Sequence, residues 1–450
     1  MAGLVIIGID FGMALTKCAV AIQPPNQSTM ERVVLAFHDE DGEQHFHLPS
    51  SVWTNADAVS LDDVDLPGFT DCHLGLKRFL LVAWDSADEE LVPGAYVTEC
   101  VFYLLVQVLA RVRRAVSAHL ARTYPGATWT WVVNAATPSE RGVLSRSSAR
   151  EVQMKALVAR ALAYVERYPE TAGAFKVAEL RGAVAEADRL ALLSSTEKRV
   201  TILRESLAAA LFALQADDAE RGTWLTVDVG ALTTDTSLFF FSPETRPDGT
   251  EYRVAAYYAM ASRTGGMHDL VDEIVKRESL SVRFAHARLG TLSEAEFRSL
   301  HSFGALQRAV ESSIRDTFKA AWSLDRPYFH LFEDSPRGRQ CRFRLLLVGG
   351  GSCTSGVRAC LRGWQWDAMR HLPPESVVAR ISNAFGVMWA DGVVDHSLHP
   401  GESDHPILAI ACGLAQQPWE MPRFDSIPQG HAGGVVPVRD RVEQDWWGGE

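Results

Sequence analysis

The chain has 450 residues, of which 47% are hydrophobic and 22% charged, so it is globular and can bury large cores. At about 150 residues per domain that length holds roughly two to four domains. A formal net charge of −12 and the lack of any basic block argue against non-specific nucleic-acid binding. Cys18, Cys72, Cys100, Cys341, Cys353, Cys360 and Cys412 form no C-x-x-C pair, which fits a reducing cytosol better than a disulfide framework or a zinc site.

Residues 4–9 read as a buried strand, too short and too soon broken by Asp10 to be a signal peptide. No apolar run approaches the ~20 residues of a membrane span, so the expected location is cytoplasmic. Asp10-Phe11-Gly12 turns the chain, and residues 16–22 return as a second strand. Lys17 sits just past that turn, within reach of a phosphate. His45 and His47, near His38 and Glu43, read as a polar strand or loop and not as a metal site. Residues 101–122 and 150–165 are apolar at helical spacing, and residues 181–193 form a further amphipathic helix. Arg111, Arg113 and Arg114 read as a solvated helix face. Residues 197–203 lead into a strand.

Residues 224–241 repeat the opening plan: an apolar strand, Asp228-Val229-Gly230, then Thr233-Thr234-Asp235 and a second apolar run. This is a hairpin whose turn carries two carboxylates, a glycine and two hydroxyls. Backbone N–H groups at such a turn suit a phosphate, and the carboxylates suit Mg²⁺ and its waters. Two such hairpins, half a chain apart, point to two related lobes facing one ligand. Residues 306–322 are helical, and residues 325–342 read as a loop or edge elements. Residues 345–357 run from an apolar strand through Gly349-Gly350-Gly351 into a helix. The tail, residues 416–450, holds four prolines and Trp446-Trp447 and reads as extended and partly irregular.

Residues 7–12, 226–235 and 345–357 resemble, in order and spacing, the first phosphate, second phosphate and adenosine motifs of the actin, sugar-kinase and DnaK-type chaperone superfamily. Residues 47–53, 76–80, 131–141, 202–211, 264–277 and 406–415 are similar to further segments of the chaperone branch. The resemblance spans about residues 4–415 and leaves no room for that branch's substrate-binding domain. It implies an α/β, actin-like ATPase fold of two ribonuclease-H-like lobes around a nucleotide cleft. Lobe I would be residues 1–218 with a small subdomain inserted at about 41–124, and lobe II residues 219–415 with one at about 265–340, followed by the tail at 416–450.

The same resemblance implies ATP or ADP and Mg²⁺ as ligands, and hydrolysis of ATP to ADP and phosphate at a slow rate. Asp10 and Asp228 would hold the hydrated Mg²⁺ across the cleft. Lys77 and Glu205 would stabilise the transferring group and orient the attacking water. Thr233 and Thr234 would donate to the γ-phosphate, and the backbone at Gly12, Met13, Ala14, Gly230 and Ala231 would cradle phosphates with Lys17. Gly265 and Gly266 match the corner after the second hairpin. Gly349, Gly350, Gly351 and Ser352 would admit the adenosine, with Glu311 and Arg315 at base and ribose.

Three departures stand out. Met13-Ala14 replace two threonines, Ala231-Leu232 replace two glycines, and Cys353 replaces an arginine that stacks on adenine. The expected function is a nucleotide-controlled switch read by a protein partner through the small subdomains or the tail, with no nucleic acid and no membrane span. The alternatives are an actin-like filament or scaffold protein, and a pseudo-ATPase that binds nucleotide without turnover. A small-molecule kinase shares the fold, but no acceptor pocket is legible.

Overall fold

The computed structural model describes residues 2–38, 44–54, 58–61, 71–73, 76–77, 80, 97–137, 149–171, 173, 175–214, 222–245, 251–280, 282–323, 343–363, 375–378, 385–398, 400, 405–416 and 423–426. The expected loop at 325–342 and most of the tail lie outside them. No described helix is long and apolar enough to cross a membrane.

The fold is mixed α/β, built on two sheets with one strand order. In the first, β1 (Gly3–Phe11), β2 (Leu15–Gln23) and β3 (Glu31–Leu35) form an antiparallel meander. On the other side of β1, β4 (Trp129–Thr137) and β5 (Val200–Arg204) add in parallel. In the second, β6 (Gly222–Val229), β7 (Thr233–Thr245) and β8 (Glu251–Thr264) form the meander. There β9 (Phe343–Val348) and β10 (Glu375–Val378) add in parallel on the far side of β6.

Further strands depart from the expected lobe boundaries. β11 (Phe385–Met388) pairs parallel with β3, and β12 (Val394–Asp395) extends it, so this part of 219–415 joins the first sheet. β13 (Arg423–Ser426), within the expected tail, pairs parallel with Val254–Tyr257 of β8 and edges the second sheet. Inside the expected first insertion, Val52–Thr54, Ala58–Ser60 and Asp71–His73 build a small sheet that Phe175–Lys176 completes.

β1 is apolar almost throughout, and β6 is buried along most of its length even at Thr223 and Thr226, because both faces of each sheet are covered. Helices α1 (Val97–Thr123), α2 (Ala149–Arg167) and α3 (Val177–Ser194) cover the outer face of the first sheet, over Val5, Ile7 and Ile9. Helix α4 (Glu205–Leu214) then enters between the sheets. Helices α5 (His268–Glu278), α6 (Val282–Thr291), α7 (Glu294–Arg298), α8 (Phe303–Ser323) and α9 (Ser355–Gly363) cover the outer face of the second, over Leu225, Val227 and Val229. Helix α10 (His405–Leu414) returns to lie beside α4. The strand period of two turns the alternate residues inward. Ile6, Ala19 and Ala21 of the first sheet and Trp224, Phe239 and Leu346 of the second share one core with α4 and α10.

Two glycines let this middle layer close. A Cβ on Gly8 would strike Ala411 O and come within 2.6 Å of Ala415 N, so the α10 backbone rests directly on β1. A Cβ on Gly413 would strike Ala208 O where α10 crosses α4. Buried amides then cap the helix ends. Asn134 Nδ2 donates to Leu414 O (2.7 Å) and Gln416 O (3.2 Å), and Gln416 Nε2 donates to Leu211 O (3.2 Å).

Gly8→Val and Gly413→Val should each cost about 1–3 kcal/mol or more, read by chemical denaturation, because neither backbone can retreat. Gly182→Ala in α3 is the contrasting case, since no atom lies within 4 Å of its added Cβ. It should gain roughly 0.5–1 kcal/mol.

Candidate functional site

The two hairpin turns are built alike. Gly12 N donates to Leu15 O at 3.1 Å, and Gly230 N donates to Thr233 O at 2.9 Å. Register pairs Asp10 with Lys17 across the first hairpin and Asp228 with Asp235 across the second. Asp10 thus corresponds to Asp228, Gly12 to Gly230 and Lys17 to Asp235. A Cβ at Gly12 would meet Leu15 O at 2.6 Å, whereas at Gly230 the nearest atom is 3.4 Å away. The tighter first turn therefore needs glycine, and the second does not.

The second turn is tied to the corner that follows β8. Met267 N donates to Gly230 O (3.0 Å), His268 N to Ala231 O (2.7 Å) and Gly265 N to Leu232 O (2.9 Å). A trans peptide sets C=O and N–H on opposite sides, so the N–H groups of Ala231 and Leu232 turn away from the corner. No described residue accepts from either of them. Gly265 has φ +127°, and a Cβ on Gly266 would meet Gly230 O at 2.5 Å, so the corner glycines are steric requirements.

The hydroxyls expected to serve a phosphate are engaged within the protein. Thr234 Oγ1 donates to Gly265 O (2.8 Å), and Thr233 Oγ1 donates to Asp235 Oδ2 (3.0 Å). Thr234 pins the corner to the hairpin, and Thr233 holds a neighbouring carboxylate.

The glycine run lies against the second turn. Gly349 has φ +81°, and its Cβ would strike Asp228 Oδ1 and approach Val229 O at 2.8 Å. Gly351 is packed under Val229 and Met267, Ser352 Oγ donates to Val348 O, and Gly350 is exposed. Glu311 and Arg315 both lie on α8, where Gln307 Nε2 donates to Glu311 Oε1 at 2.8 Å and Arg315 is exposed. The same helix meets the corner through Ala309, which a Cβ on Gly265 would approach to 2.6 Å.

Charged groups from both sheets converge between these turns. Asp10, 2% exposed, accepts from Lys17 Nζ at 2.8 Å. Lys77, 1% exposed, forms an ion pair with Glu205 at the first position of α4. Its ammonium also lies 5.8 Å over the Phe11 ring. Burial pushes Asp228 well above the usual carboxylate range, and the charges of Glu205, Asp235 and Asp10 add to that, against Lys17. Burial, then Glu205, pushes Asp235 up to about 6, against hydrogen bonds from Ser262 and Thr233 and the charge of Lys77. Among the described residues, Asp235 Oδ1 has no hydrogen-bond partner.

Asp10, Lys17, Lys77, Glu205 and Asp228 are therefore gathered in one place. Asp235, which the sequence marks only as a turn carboxylate with no named role, belongs with them. The signal that finds it is register, because it occupies the position of Lys17 in the second hairpin. No protein-family model matches this chain, and no curated protein is significantly similar to it.

Asp235 ties stability to pH. Its folded value of about 6 lies above the ordinary 3.8, so the fold favours the protonated form. That contribution is complete below pH 3.8 and is lost as pH rises through about 6. Asp235→Asn should flatten this slope and raise stability at pH 7 by on the order of 3 kcal/mol, read by thermal denaturation across pH. An unchanged slope would mean the carboxylate is ionised without cost.

Proposed function

We propose that the chain is a Mg·ATP-binding switch with an actin-like ATPase fold, closest in plan to the nucleotide-binding part of DnaK-type chaperones, and a slow ATPase. One observation carries this reading: two hairpin turns of the same register, from two sheets of the same strand order, bring Asp10 and Asp228 close enough for each to act on the other's charge.

The residues fit the ligand. Four carboxylates face two ammoniums, and Asp235 Oδ1 is buried without a partner among the described residues, a deficit that a hydrated divalent cation would relieve. Among the described residues no three His, Cys, Asp or Glu side chains stand close enough to grip a bare metal ion. That suits Mg²⁺, which keeps most of its waters. Beside Asp228, Gly349 leaves room for backbone alone.

Bound Mg·ATP supplies a transferable phosphoryl group; the protein supplies position and charge. Asp10 and Asp228 would hold the hydrated Mg²⁺ through its waters. Lys17 and Lys77 offset the negative charge of the phosphates, and Glu205 aligns Lys77 and takes a proton from the attacking water. The N–H groups of Ala231 and Leu232, with those of Met13 and Ala14, donate to phosphate oxygens. Closing the two sheets over the ligand would be the signal that a cytoplasmic protein partner reads.

A second reading, nucleotide binding without turnover, is favoured by the engaged hydroxyls of Thr233 and Thr234 and by the Lys17–Asp10 pair. Calorimetry with Mg·ATP should show at least about tenfold weaker binding for Asp10→Ala combined with Asp228→Ala, a change of ~1.4 kcal/mol. Equal affinity would rule the site out. Phosphate release in the wild type should exceed a Glu205→Ala control by about 10²-fold or more if turnover occurs. Matching rates would select the second reading.

A further inference from the structure

Away from the acidic turns, a groove of about 660 Å³ opens at the far edge of the first sheet. Three remote segments build it: the β2–β3 connection with the start of β3, the C-terminal end of α1, and the β11–β12 turn. Its volume lies within the roughly 300–1,000 Å³ of small-molecule sites.

Glu31 is the sole carboxylate among the described residues that line it. Its Oε2 lies 3.1 Å from His119 Nε2, and its Oε1 lies 3.3 Å from His396 Nε2. Burial pushes Glu31 up, but the hydrogen bonds and charges of the two imidazoles outweigh it and hold the carboxyl below its usual range. Both oxygens of the one acid are thus engaged, while Arg32 and Arg122 also line the groove. Arg122 is exposed; its Nη1 donates to Asp391 O at 3.1 Å, and it pairs with no carboxylate among the described residues. Among the lining residues two arginines and two histidines stand against this one carboxylate, and the Asp395 carboxylate lies close enough to act on His396. Met30, Tyr124 and Val393 supply an apolar wall, with Val393 46% exposed.

We propose that this groove is a second ligand site, which takes a small phosphate monoester with its head between Arg122 and His396 and its organic body against Met30, Tyr124 and Val393. The planar guanidinium fork of Arg122 fits a phosphate dianion, and the exposed His396 imidazole, whose Nε2 lies on Glu31, flanks it. The organic body is needed because an open groove holds inorganic phosphate only through solvated charges.

Phenyl phosphate is the probe, titrated into the full chain with Mg·ATP saturating so that the acidic turns are occupied. Saturable binding is expected near the millimolar range, with inorganic phosphate weaker. The ring-proton resonances of His119 and His396 should move with occupancy. Arg122→Glu should weaken binding by at least about tenfold, and His396→Ala by about threefold. Both side chains are exposed, so the variants should melt as the wild type does. Undiminished binding to Arg122→Glu, or histidine resonances that stay still at saturation, would overturn the proposal.

Discussion

Four carboxylates and two ammoniums meet where the two hairpin turns approach each other, so the acids outnumber the bases by two. Each ammonium has already chosen: Lys17 lies on Asp10, and Lys77 on Glu205. What remains, Asp228 and Asp235, is a like-charge pair directly opposed across two strands, the arrangement that sheet pairing ordinarily avoids. The surrounding protein stabilises neither charge fully, since Asp235 keeps an oxygen without a donor. This imbalance is the feature on which the proposed binding of a hydrated cation rests. Such stored cost is characteristic of functional sites and is offset by the packing elsewhere.

The packing that offsets it is the middle layer. Helices α4 and α10 lie between two sheets of one design, and each sheet offers them the alternate residues of its central strands. Close approach is possible because Gly8 and Gly413 put backbone against backbone. The ion-paired Glu205 begins α4, so the helix that fills the shared core also aims an acid at the crevice. Its position at the first turn is favourable to a negative charge in its own right.

Much of this was legible in the sequence. Strand 4–9 declares itself by an apolar run and 224–229 by apolar and β-branched residues, and Asp-x-Gly marks each turn. The helices at 101–122, 150–165 and 181–193 follow from apolar spacing. Less visible was anything that depends on partners distant in the chain. Thr233 and Thr234 look like free donors until Gly265 and Asp235 are seen to receive them. Lys77 could have been a plain surface lysine, and only its burial against Glu205 decides otherwise. Strands β11 to β13 are too short for period-two patterning to assign a sheet, so their return to opposite sheets is decided by tertiary pairing alone.

The four residues of β13 lie beyond α10 and pair along the flank of β8. A sheet margin with open N–H and C=O groups is a template for another chain. Shortening the protein after Gln416 would keep the helix-end caps and the acidic groups while baring that margin to neighbouring molecules. Self-association, rather than lost chemistry, would be the first symptom of such a truncation.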